Sequence, residues 1–146
     1  MLKKVHNLFS PMERQEQKIR DEASRKYPQR LTLTLPTESV PQFNFRCQMV
    51  AAQAAQTNHR GAVGVIETVI IYTNGITGHY VNLMEDGTIC DFTMGIGSID
   101  KDVRFIRHVH PNEYDKMNDV LWNLKLKLTA SIPAFYKPFY KLNDIC

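Results

Sequence analysis

The 146-residue chain is short of several things that would narrow its function at once. It has only three cysteines, at 47, 90 and 146, an odd count at irregular spacing that makes no disulfide framework. Free thiols in a reducing, cytoplasmic setting are the expectation. No apolar run approaches the roughly 18 residues that a membrane span needs, so no span is expected. Met1 to Ser10 contain no apolar stretch long enough for a secretory leader. There is no Cys-x-x-Cys pair and no His-x-x-x-His helix. His108 and His110 are two apart on a strand, and only with His59 or a cysteine could they build a zinc site, so no metal is expected. Gly95-Ile96-Gly97 lacks the lysine and the following helix of a phosphate-cradling loop, and no cofactor is expected. No repeat or low-complexity segment occurs.

What is present describes an ordinary folded chain. Hydrophobic residues make up 43% and charged residues 23%, enough apolar material for one core and too little charge for wholesale disorder. The net charge of +3 is unevenly placed. Residues 1–30 hold eight Lys/Arg against four Asp/Glu, whereas residues 31–146 hold ten against eleven. A basic arm can meet nucleic acid, an acidic partner or a membrane face, but its simplest reading is a solvated helix face. Phe and Tyr do not interleave with Lys and Arg as in an extended nucleic-acid-binding sheet, so nucleic-acid binding is not expected.

Ser10-Pro11-Met12-Glu13 combines an N-cap, a proline at the first helical position and a capping-box glutamate. The helix it opens should run to about Lys26, and its sparse apolar residues (Met12, Ile19, Ala23) predict a surface position. Leu31 to Leu35 alternates as a half-buried strand or extended segment, and Pro36 to Pro41 reads as a linker. Cys47 to about Gln56 is rich in Ala, Gln and Met and predicts a helix. Val65 to Tyr72 is dense in β-branched residues and predicts a central strand. Asn74-Gly75 marks a turn, and Glu85-Asp86-Gly87 a hairpin between strands 79–84 and 88–93. Val103 to Val109 predicts another strand. Pro111 opens a helix with Tyr114, Met117, Leu121, Leu124 and Leu128 on one stripe. The aromatic tail, Ile132 to Cys146, should wrap over the core. Helices and strands are segregated, which argues for an α+β fold with an antiparallel sheet.

Three residues carry the chemistry that such a fold could support. Cys47 opens a helix, where the positive helix end favours a thiolate. His79 lies in Gly78-His79-Tyr80-Val81-Asn82-Leu83, and an imidazole can take the thiol proton. Asp91 lies on the following strand, and a carboxylate fixes the tautomer and orientation of an imidazole. Nucleophilic acyl chemistry needs these three groups together. Asn44 and Gln42 precede Cys47 closely, and either amide could supplement the Cys47 backbone N–H in an oxyanion hole, although Asn44 could equally cap the helix. Cys90, next to Asp91 on its strand, should point to the other face.

This order of residues resembles the papain-like cysteine peptidase superfamily, in particular its transglutaminase-like branch. The matching stretches are Asn44 to Ala52, His79 to Leu83 and Gly87 to Thr93. Two departures stand out: the strand after the histidine reads Tyr80-Val81-Asn82, and Phe92 rather than proline follows Asp91. The resemblance implies an α+β core in which the helix carrying the nucleophile packs on an antiparallel sheet. It implies Cys47 as nucleophile, His79 as base and Asp91 as orienter. The chain then reads as a basic N-terminal helical arm, 1–30, and a single α+β catalytic-type domain, 31–146. The function implied is thiol-dependent acyl transfer on an amide of a protein or peptide, as peptidase, isopeptidase, deamidase or transglutaminase-like enzyme. The alternative is a non-catalytic binding or inhibitor protein on the same plan. Strand register bears on the triad. A three-residue loop, Glu85 to Gly87, with Gly87 left-handed, is expected; it sets Val81 against Asp91 and leaves His79 and Asp91 on one face, whereas a two-residue loop would set Asn82 against Asp91 and separate them.

Overall fold

The structure is a computed structural model that describes residues 11–36, 46–73, 75–130 and 132. Its centre is a four-stranded antiparallel sheet of β1 (Ala62–Tyr72), β2 (Gly75–Met84), β3 (Ile89–Cys90) and β4 (Asp102–Val109), in the order β3-β2-β1-β4. The helices are α1 (Pro11–Lys26), α2 (Cys47–Gln56) and α3 (Met117–Ala130), the last entered through a 3-10 segment, Pro111–Lys116. The expected α+β class and antiparallel sheet are present, with helices packed on the sheet. No helix among the described residues is long and apolar enough to cross a membrane.

Alternation along the strands sorts the core into two clusters. On one face Val65, Val69, Ile76 and Tyr80 pack with Ala51 and Ala52 of α2 and with Met117, Leu124 and Leu128 of α3. On the other face Ile66, Ile70, Val81 and Val103 pack with Leu31 and Leu33. The extended segment around these two leucines touches both edges of the sheet. Leu31 N–H donates to Val103 O (2.8 Å) at the β4 edge, and Thr34 N–H donates to Ile89 O (2.7 Å) at the β3 edge. The second face is thereby enclosed, barrel-fashion, by the chain's own residues 30–34.

The N-terminal helix departs from its expected surface position. Ile19 and Ala23 are buried in the helix-side cluster, and Tyr27 packs against it. Two well-placed apolar residues one turn apart suffice to dock a helix whose other faces are charged. Asn82 joins layers by hydrogen bonds: its Nδ2 donates to Ala51 O of α2 (2.8 Å) and to Gly64 O of β1 (3.0 Å). The approach to α3 is built by a capping box at His110. Its Nδ1 accepts from Asn112 N–H (3.2 Å), and its own N–H donates to Glu113 Oε2 (2.9 Å). Pro36 apart, the expected linker lies outside the described residues, as does the aromatic tail beyond Ile132; Ile132 itself is buried in the helix-side cluster.

Candidate functional site

The β2–β3 hairpin adopts the three-residue loop. Met84 N–H donates to Thr88 O (2.8 Å), Gly87 takes φ +82°, and Leu83 and Asn82 pair with Ile89 and Cys90. Glycine supplies the left-handed conformation without penalty. Asp86 secures the loop, its Oδ1 accepting from Thr88 N–H (2.9 Å) and Thr88 Oγ1–H (2.6 Å). Continued by one residue, this register sets Asp91 beside Val81 and turns it to the face of His79.

His79 and Asp91 meet there. The His79 Nε2 and Asp91 Oδ2 atoms are 2.6 Å apart, and both side chains are almost fully buried. The other carboxylate oxygen, Oδ1, accepts from the backbone N–H groups of Thr93 (2.8 Å) and Met94 (2.9 Å). Burial alone would push the Asp91 carboxyl up. The opposing charge of His79, its hydrogen bond and the two backbone donors outweigh burial and hold the group below the usual carboxylate range. An ionised carboxylate needs a donor, which places the proton on Nε2. Tyr72 is on the same face, and burial together with the Asp91 charge raises its phenol. Thr68, opposite His79 in the β1–β2 register, donates from Oγ1 to His79 O (2.9 Å).

Cys47 is elsewhere. It is fully buried in the helix-side cluster that contains Tyr80, Val65 and Val69. Tyr80 follows His79 directly along an unbroken β2 register, so the two side chains leave the sheet on opposite faces. His79 belongs to the enclosed face with Val81, and Cys47 to the helix-covered face. Cys47 is also disulfide-bonded, which corrects the expectation of three free thiols. Cys90 is free and buried, and burial followed by the Asp91 charge pushes its thiol up to about 11. It pairs with Asn82, on the face away from Asp91, as alternation requires. Asn44 and Gln42 lie outside the described residues. The structure thus joins His79 to Asp91 and sets Cys47 behind the sheet from both.

The polar groups that share the face of Cys47 escaped the sequence reading. Glu67 of β1 is 1% exposed and bridges three strands. Its Oε2 accepts from Tyr80 Oη–H of β2 (2.9 Å), and its Oε1 from Arg107 Nε–H of β4 (3.2 Å). Arg107 also grips Glu113 with two bonds, of 2.8 and 3.0 Å. The Glu113 hydrogen bonds raise the Arg107 guanidinium and lower the Glu113 carboxyl. Burial, then the Glu67 charge, raises the Tyr80 phenol. A lone glutamate in the β-branched run Val65–Tyr72 was the available signal, because a charge at the centre of a buried strand needs partners. Among the described residues no three His, Cys, Asp or Glu side chains gather as metal ligands.

No family model, curated protein or solved structure matches the chain. The papain-like resemblance therefore rests on the residues quoted above.

Proposed function

We propose that the chain acts as a non-catalytic binding protein on a papain-like plan, with a protein or peptide as partner. One observation carries the reading: Cys47, at the start of α2, lies on the helix-covered side of the sheet and is held in a disulfide, while the His79 side chain is on the enclosed side, so these two groups do not meet. Burial adds to it, since His79 and Asp91 are each 1% exposed and Cys47 is 0% exposed. The His79–Asp91 pair then works structurally, fixing the turn after β3 through the Thr93 and Met94 amides. The second reading, thiol-dependent acyl transfer through Cys47, His79 and Asp91, is favoured by the 2.6 Å contact of the base and its orienter.

The two readings separate in one experiment. The full chain is reduced, treated with a broad cysteine-directed electrophile near neutral pH, and mapped by mass spectrometry. The binding reading expects Cys47 to label no faster than in the unfolded chain, whatever residue stands at 79. Rapid labelling of Cys47 that vanishes in His79→Ala would establish the enzyme reading instead.

A further inference from the structure

A disulfide takes two cysteines, and the chain has three. Cys47 is in a disulfide, and Cys90 is free and buried. Within the chain this leaves Cys146, which lies outside the described residues. Chain length permits the pairing. Ile132, just beyond α3, is buried in the same helix-side cluster as Cys47. Cys47 in turn lies near the first turn of α3, because Gln48 Nε2 donates to Asn118 Oδ1 (3.1 Å). The distance to be bridged is then roughly the length of α3, about 21 Å for its 14 residues. Residues 133–146 can span up to about 46 Å.

The start of α2 is a place where a covalent anchor has work to do. Arg46, its N-cap residue, makes no side-chain cap hydrogen bond, and the first turn carries no acidic residue. Two usual aids to a helix start are therefore missing. Cys47 occupies the first helical position and is 0% exposed. A bond from its sulfur fixes that turn on the helix-covered face. It also closes a loop of about 100 residues, from 47 to 146, that contains the whole sheet and α3. Cross-links that close long loops remove the most freedom from the unfolded chain. Cys90 is a poor competitor for Cys47, because burial and the Asp91 charge push its thiol up to about 11 and leave little thiolate for exchange near neutral pH.

We propose that Cys47 and Cys146 form a structural disulfide, a covalent modification that pins the first turn of α2 and that forms where the glutathione pool is oxidising. The bond arises by exchange with a low-molecular-weight disulfide such as oxidised glutathione. The two cysteine thiols give up two electrons and two protons, the S–S bond forms between them, and glutathione leaves as two thiols. To test this, the full chain is reduced and then equilibrated with oxidised and reduced glutathione at the ratio of an oxidising compartment. It is next unfolded in denaturant with iodoacetamide and mapped by mass spectrometry without further reduction. Alkylation of Cys90 alone is expected, together with one cross-linked peptide pair that joins Cys47 to Cys146 of the same chain. Cys146→Ser should lower the melting temperature of the oxidised protein by several degrees. A dithiol reductant should lower the wild type to the same value and leave the variant unchanged. Alkylation of Cys47, a bond from Cys47 to Cys90 or a cross-link between two chains overturns the pairing. Equal melting of the oxidised wild type and Cys146→Ser overturns the pinning of α2. None of these results touches the binding reading, whose labelling test starts from the reduced chain.

Discussion

The two faces of the sheet are both buried and both carry ionisable side chains, but they hold them differently. On the enclosed face His79 and Asp91 form a local pair, 12 residues apart across one hairpin. Their meeting is a matter of loop length and strand register. On the helix-covered face Glu67, Tyr80, Arg107 and Glu113 come from three strands and the approach to α3. That network pins β1 to both of its neighbours and shares its face with Cys47. A single step along β2, from His79 to Tyr80, moves a side chain from one set to the other. The order of residues in a chain can thus hold all the parts of a catalytic device while the sheet divides them.

The faces can be broken separately, and the largest effect is expected on the enclosed one. Asp91→Ala removes the partner of a buried histidine and the acceptor of two backbone amides, and should cost about 3–5 kcal/mol in denaturant unfolding. The double variant His79→Leu, Asp91→Leu should recover only the histidine's share of this, because an apolar pair leaves no buried charge unmatched while the Thr93 and Met94 amides still lose their acceptor. On the other face Glu67→Ala should cost less, about 2–3 kcal/mol. The Arg107 side chain is 37% exposed and keeps its bonds to Glu113, while the Tyr80 hydroxyl loses its acceptor. Smaller again is Gly78→Ala, also on the helix-covered face. Its Cβ would stand 2.6 Å from Leu124 Cδ2, and shifting that buried leucine should cost about 1–2 kcal/mol by the same assay.

Acid should separate the faces further. The Asp91 carboxyl is depressed in the folded state, so its contribution is complete above the unfolded carboxylate pKa of about 4 and is lost as pH falls towards the lower folded value. Asp91→Asn should flatten the decline in unfolding free energy below about pH 4 relative to the wild type. A decline of unchanged steepness would place the acid sensitivity elsewhere.

Much of the fold was readable from residues alone. The β-branched run Val65–Tyr72, the proline-opened helices and the Glu85–Gly87 loop each express local physics, and each is found near its expected place. The pairing of His79 with Asp91 was readable as well, because hairpin register follows from loop length. Two things were not. The docking of α1 depends on Ile19 and Ala23 finding an apolar surface that no local pattern announces. The placement of Cys47 depends on which face of the sheet α2 covers, and the periodicity of α2 is silent on that. Asn82, tied to Ala51, and Glu67, tied to Tyr80, are the residues in which that choice is visible once the structure is known.

The division of the sheet is tested most directly by the nuclear Overhauser contacts of the His79 ring protons in the isotopically labelled, full-length protein. The account predicts contacts to the methyl groups of Thr68 and Val81 on the enclosed face, and none to the Cys47 β-protons or the Ala51 methyl. Contacts from the His79 ring to the Cys47 β-protons would put thiol and imidazole on one face and contradict it.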